Sequence, residues 1–576
     1  MRRPPTLSGS ESLGLSLVAT AALLIVVAYL GDRVGVAFAP ALMATVGGVS
    51  GMAMLAAFSR SATWEPAETA TCTTVVAITF AWLLWIARPS FFPLGSGPDL
   101  THHLLLINYI EGHWTLVHEP GVQEYLGEMV QYTPGSHIVT ALAGAWSGSN
   151  GLHAMHAVMA ASAALKTGFV FLIAMRVLPR DVPRVPIAAL GSLSLFASQT
   201  YFLGAFAQYS FLAQVVAECF AIAMFWALTA WDQDQHRWLM AVTGLLGAAL
   251  FLTWPILIGP PLVVLGLLVV LPTSKVRLQP DTTYVTQLLS RAVDAAIAVV
   301  PIVLVAGLFS IGRMDYVVIA GTGGEVTTPV VRAYGWLFLV LSSGGIAIAA
   351  ASLKARTTSR TLALFAGAIL LQAGALYLFA RSRGNDPYMA RKMFYMLLYP
   401  QAVGVALAVG TIWRAVVRVF QGPPKGGHYV RTVPTLAWAL VLIAVILVAR
   451  PLVGAPKSLI VAKHPATSIE LEHAGKWVRE HVDPHCVEYL VGDDNTAYWL
   501  HLAVLGNPRR GARTGDNATY QLNPALVRWL TPGGLPYAIA DLRVLPTDIK
   551  NSSDIVAQFG PVAVIKRQSA SSCGSA

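Results

Sequence analysis

The sequence is poor in charge: only 12% of its 576 residues are Asp, Glu, Lys or Arg, while 55% are hydrophobic. A soluble protein of this size gives about a quarter of its residues to charge. Half that share excludes a single large water-soluble enzyme, a disordered chain and a coiled coil. The nucleotide and hydrolase signatures are missing too. There is no Walker-type Gly-x-x-x-x-Gly-Lys-Ser/Thr, no dinucleotide fingerprint, no Gly-x-Ser-x-Gly elbow, no His-Glu-x-x-His and no CxxC pair. Nucleotide-driven cytosolic chemistry therefore has no foothold. No internal repeat is visible, and low complexity is confined to the Ser/Gly-rich last residues. What is present is a series of apolar stretches from Leu13 to about Ala449, which makes the chain a polytopic α-helical membrane protein. Its net charge of +10 is then a topology signal to be read loop by loop. It does not point to nucleic acid.

Leu13 to Leu30 follows Arg2 and Arg3 as a signal peptide would, but its apolar run exceeds the roughly 7–15 residues of a signal core. It reads as an uncleaved first helix. Further runs near membrane-crossing length fall at about 36–58, 70–87, 153–175, 185–202, 209–230, 238–254, 256–272, 292–310, 332–352, 361–380, 393–412 and 433–450. Pro255, Pro260 and Pro261 break the stretch from Trp238 to Leu271 into a helical pair. About thirteen spans result. Gly135 to Trp146 is too short to cross and reads as an interfacial or re-entrant helix. With that piece not spanning, Arg176, Arg180, Arg184, Lys275, Arg277, Arg291, Lys354, Arg356, Arg360, Arg414, Arg418, Lys425 and Arg431 share the cytoplasmic side. A spanning piece would turn all of them outward.

This topology places the loop 88–152 and the tail 451–576 outside the cell, after a transmembrane domain of residues 1–450. The tail reads as a small α/β domain: an amphipathic helix over Ser468 to Val482, a strand over Cys486 to Val491, a helix over Thr496 to Val504. Cys72 and Cys219 lie in spans as inert thiols. Cys486 and Cys573 lie where a disulfide is permitted.

Two constellations could carry chemistry. The first is the acidic loop, with Gly97-Pro98-Asp99-Leu100-Thr101-His102-His103 and, later, Gln131-Tyr132-Thr133-Pro134-Gly135-Ser136-His137. Asp99 could cap the apolar helix that follows it. It could equally be a carboxylate held at the membrane surface as a general base, ionised and within reach of a proton. His102 and His103 are the next catalytic candidates. Asp99 and His102, three residues apart, could share a divalent cation, although a metal site needs more ligands. The second is Arg381-Ser-Arg383-Gly-Asn-Asp386-Pro-Tyr388-Met-Ala-Arg391-Lys392, a basic loop on the outer side, against the positive-inside trend. Arg offers a planar fork to phosphate and Lys a point charge, so a lipid phosphate is one reading and anionic headgroups the other. Inside the spans, Lys166, Glu218, Asp294 and Gln372 must face protein or water. Gln199, Tyr201, Gln208 and Tyr209 sit near an outer turn, as sugar-cavity residues or interfacial anchors.

A span leading into an outer loop with Asp99 in Gly-Pro-Asp-Leu-Thr-His-His, an interfacial Tyr132-Thr-Pro-Gly-Ser-His segment and a late basic loop together resemble the GT-C superfamily of integral membrane glycosyltransferases. The resemblance implies a multi-pass cell-membrane enzyme with its active site and C-terminal domain extracytoplasmic. It further implies a polyprenyl-phosphate-linked sugar donor and a lipid or polysaccharide acceptor of the cell envelope. Asp99 would be the base of an inverting transfer, and Arg381, Arg383, Tyr388, Arg391 and Lys392 would hold the donor phosphate. Gln131, Tyr132, His137 and Tyr209 would line the substrate cavity. Two features depart from the family pattern: an extra pair of spans before Asp99, and Asp-x-x-His-His where an acidic pair is usual. The rival is a transporter or flippase of a lipid-linked glycan, using Lys166, Glu218 and Asp294.

Overall fold

A computed structural model of the chain describes residues 7–60, 62–88, 90–94, 98–118, 126–197, 210–271, 284–311, 335–355, 358–421, 468–500 and 520–568. The membrane portion contains α1 (Gly9–Arg33), α2 (Pro40–Ser59), α3 (Pro66–Ile86), α4 (Pro98–His113), α5 (Gly135–Trp146), α6 (Gly151–Val177) and α7 (Arg184–Leu193). It continues with α8 (Leu212–Asp234), α9 (Arg237–Thr253), α10 (Gly259–Val270), α11 (Tyr284–Ser310), α12 (Gly335–Ala355), α13 (Arg360–Ser382) and α14 (Tyr388–Gln421).

Local chemistry starts and stops these helices. Ser8 and Glu11 form a capping box at the head of α1. Proline opens α2 and α3, where its missing N–H costs nothing. The Pro255–Ile258 turn separates α9 from α10, as the prolines required. Among the described residues nine helices are long and apolar enough to cross a membrane, and Arg184–Phe196, Arg237–Thr253 and Pro255–Val270 are shorter apolar segments. These twelve coincide with expected spans, and the protein is a multi-pass membrane protein. The thirteenth run, 433–450, lies outside the described residues, as does the junction at 450/451. Helix α8 is buried along nearly its whole length and forms the axis of the bundle, whereas α2 lies at its edge.

Side-chain contacts define two opposite faces. At one, Arg176 of α6 pairs with Glu11 of α1 and, at 3.0 Å, with Asp234 of α8. There too Arg360 pairs with Asp232, Arg237 with Asp294 at 2.8 Å and Arg414 with Asp181 at 2.7 Å. At the other, the α1 residue Arg33 donates to the Leu308 carbonyl at the end of α11 (2.9 Å), and Trp146 donates to the Pro40 carbonyl (3.0 Å). Helices α4 and α5 lie on this second face.

Beyond the bundle come α15 (Ile469–His481), β1 (Val487–Leu490), α16 (Asp494–Trp499), α17 (Leu522–Leu530), β2 (Tyr537–Asp541), α18 (Thr547–Asn551), β3 (Ser553–Phe559) and β4 (Val562–Arg567). The strands form one sheet in the order β1-β2-β4-β3, parallel between β1 and β2 and antiparallel elsewhere. This agrees with the expected α/β tail. Cys486 is disulfide-bonded, while Cys72 and Cys219 are buried free thiols. Cys573 lies outside the described residues.

Candidate active site

Helix α4 begins at Pro98, so Asp99 occupies its first turn instead of the capping position the sequence allowed. An acidic side chain there is favoured by the helix dipole, and Asp99 is exposed. The cation on which its charge acts comes from α14. Lys392 is 8% exposed, and the carboxylates acting on its charge are those of Asp99 and Glu218. Three rings enclose its ammonium, with centroids at 4.0 Å for Phe211, 4.4 Å for Tyr388 and 5.3 Å for Trp254. Ring faces attract a cation most strongly where water is excluded. Among the described residues no ion pair or hydrogen bond reaches the Lys392 ammonium.

The remaining basic residues of this region do not join it. Arg391 pairs with Asp386 at 2.9 Å. Arg381 and Arg383 are exposed and lie over Tyr377 and Phe379 of their own helix, at 5.6 and 4.4 Å. One inward lysine therefore replaces the expected four-cation cluster. Phe211 and Trp254 were not singled out by the sequence; the only local signal was the spacing of four between Tyr388 and Lys392, which stacks them on one helix face.

Deeper in the bundle, Glu218 accepts from Lys166 (2.7 Å), Gln214 (3.0 Å) and Tyr399 (2.5 Å). The intramembrane charges Lys166, Glu218 and Asp294 are thus all ion-paired, and Gln372 donates to the Ile256 carbonyl (2.6 Å).

His102 and His103 leave α4 in different directions. His102 Nε2 lies 2.9 Å from the Tyr498 hydroxyl of α16. His103 Nδ1 lies 2.9 Å from Nε2 of His137, and the Tyr132 ring meets both imidazoles edge-on. Complete burial, then the neighbouring His103, hold His137 well below the usual histidine range. The backbone of Thr133 and Pro134 acts the other way, and the Ser136 hydroxyl lies 3.5 Å from its Nδ1.

Helix α5 can sit this close because Gly135 has no side chain: a Cβ there would meet Thr253 Oγ1 at 2.5 Å and the Leu252 carbonyl at 2.9 Å. Thr133 adds a 2.9 Å bond to the Thr253 carbonyl. Gln131 and Tyr132 are half-buried, and Tyr209, Gln199, Tyr201 and Gln208 lie outside the described residues.

At the other end of α4, Glu111 accepts from the Gly151 amide at 2.6 Å, at the head of α6. Burial pushes its carboxyl up to about 7 against that bond.

Asp99 and His102 do not fit a divalent cation. The imidazole is engaged by Tyr498, the carboxylate's charge acts on a lysine, and no group of three metal-ligating side chains occurs among the described residues.

No family model and no curated protein matches the chain. It is similar in structure to the archaeal oligosaccharyltransferase AglB from Archaeoglobus fulgidus, in complex with an inhibitory peptide and a dolichol-phosphate. Identity is 13% over 82% of this chain and 69% of that one, with a TM-score of 0.48. It is also similar to ArnT from Cupriavidus metallidurans in the apo state, at 15% identity over 86% of this chain and 98% of that one, with a TM-score of 0.47.

Proposed function

We propose that the protein is an extracytoplasmic membrane glycosyltransferase that moves a sugar from a polyprenyl-phosphate donor to a lipid or polysaccharide acceptor of the cell envelope. One observation carries the reading: an exposed aspartate in the first turn of α4 acts electrostatically on a buried lysine that has rings around it and, among the described residues, no anion paired to it. Base and anion seat belong together in transfer from a phosphate leaving group.

Asp99 takes the proton of an acceptor hydroxyl as that oxygen attacks the anomeric carbon. The carbon–oxygen bond to phosphate breaks, and the electron pair departs with the lipid phosphate. Attack opposite the leaving group inverts the centre, through an oxocarbenium-like transition state. Lys392 meets the negative charge as it grows on phosphate, in a site where rings exclude water and strengthen the attraction. Asp99 then passes its proton to solvent. The prenyl chain lies between spans, and the tail from residue 451 binds the acceptor as a separate domain.

The transporter reading has less support, because the intramembrane charges it would use are already ion-paired, Lys166 with Glu218 and Asp294 with Arg237.

In proteoliposomes supplied with labelled polyprenyl-phosphate sugar, Asp99→Asn should lower kcat by about 10²–10⁴-fold, the usual worth of a positioned base. Wild-type rates from that variant, present at normal level and folded, would remove Asp99 as the base.

A further inference from the structure

The described contacts between tail and bundle gather on α4 and on the head of α6. Tyr498 bonds His102 one turn after Asp99, and both rings are buried, at 1% and 8% exposure. Tyr498 is itself braced edge-on by Tyr520, 5.4 Å away. Its helix is fixed at the start by Asp493, which accepts from both the amide and the hydroxyl of Thr496 at 2.8 Å. A second contact lies at the far end: Glu472 of α15 accepts from Asn150 (3.4 Å) and lies 3.5 Å from His153. Asn150 caps α6, and the next residue, Gly151, donates to Glu111 of α4. Helix α4 is thereby held by the tail directly at its first turns, and through α6 at its last.

We infer that Tyr498 is a positioning residue: its hydroxyl holds His102 and, through the rigid first turns of α4, aligns the Asp99 carboxylate only while the tail is docked. This rests on the glycosyltransferase reading and assigns His102 to alignment instead of proton transfer. Asp99 is exposed at the start of its helix, and small displacements of a base are costly to rate. A tail that engages its acceptor can then set the base from the side opposite the donor, coupling acceptor capture to readiness for transfer. The two contacts have separate tasks. Tyr498 governs the first turns, and Glu472 seats the tail against α6.

Tyr498→Phe keeps the ring and removes only the hydroxyl. In the full chain in nanodiscs, hydrogen–deuterium exchange over residues 98–103 should rise several-fold. The kcat should fall about tenfold, the scale of one buried hydrogen bond, with an unchanged KM for donor and an unchanged melting midpoint. Glu472→Gln should leave exchange over 98–103 at the wild-type level. Wild-type exchange and kcat in Tyr498→Phe would overturn the inference. So would equal loosening of 98–103 by Glu472→Gln, which would mean undocking in general. If exchange rises in Tyr498→Phe while the wild-type chain itself transfers no sugar, the latch stands and the glycosyltransferase reading falls.

Discussion

Lys392 is buried with no anion bonded to it among the described residues, and two other cations of the bundle show why this is unusual. Arg391, one residue earlier, has Asp386 at 2.9 Å. Lys166, in the centre of the bundle, has Glu218 at 2.7 Å. A buried charge without a partner costs stability, so a chain that retains one gains something in return, and an anionic ligand would supply the missing partner. Lys392→Met should therefore raise the KM for donor and lower kcat by about 10²–10³-fold together, while the melting midpoint stays level or rises. Arg391→Ala should change both constants far less, since its head is already paired. A drop in melting temperature with unaltered kinetics for Lys392→Met would make the lysine structural. The sequence showed that a basic loop lay on the unexpected side. It could not show which of the four cations turned inward, because Phe211 and Trp254, which decide this, are supplied by distant helices.

Helix α4 shows what hydrophobic periodicity can and cannot read. Its existence was legible from the apolar run after Pro98. Its partners were not. His102 bonds a tyrosine 396 residues away, and Glu111 reaches the head of α6, contacts that no local spacing encodes. The short length of α5 was equally legible, but its seat depends on Gly135 meeting Leu252 and Thr253. The Glu111 contact has a pH consequence. Its folded pKa, about 7, lies above that of the unfolded chain. The folded state thus binds the proton more tightly, and this site's contribution to stability falls as pH rises from about 4.5 to 7. Glu111→Gln keeps an oxygen for the Gly151 amide and cannot ionise. Melting midpoints taken from pH 5 to pH 8 should decline less in Glu111→Gln than in the wild type, with the variant ahead above pH 7. Parallel curves would show that Glu111 is not the titrating group.

At the scale of the whole molecule, the +10 charge separates into two arrangements. On the face formed by the head of α1 and the foot of α6, several of the basic residues counted as topology signals are ion-paired: Arg176 with Glu11 and Asp234, Arg360 with Asp232, Arg414 with Asp181. Counting Lys and Arg grouped these residues on one face but could not show the acidic partners that tie α1, α6, α8 and α13 together. On the opposite face, Arg381 and Arg383 are exposed and unpaired with carboxylates among the described residues, beside the buried Lys392. The two faces stand at opposite ends of α13, which runs 23 residues from Arg360 to Ser382, about 34 Å at 1.5 Å per residue. We propose, following the positive-inside rule, that the ion-paired face is cytoplasmic, with Asp99, Lys392 and the tail outside. Ser382→Cys and Arg180→Cys test that assignment, since both positions are exposed and the free native thiols, Cys72 and Cys219, are buried. A membrane-impermeant maleimide applied to intact cells should label Ser382→Cys at once and Arg180→Cys only after permeabilisation. The reverse pattern would place the Asp99 face in the cytoplasm and end the extracytoplasmic reading, and with it any use of a donor displayed on the outer leaflet.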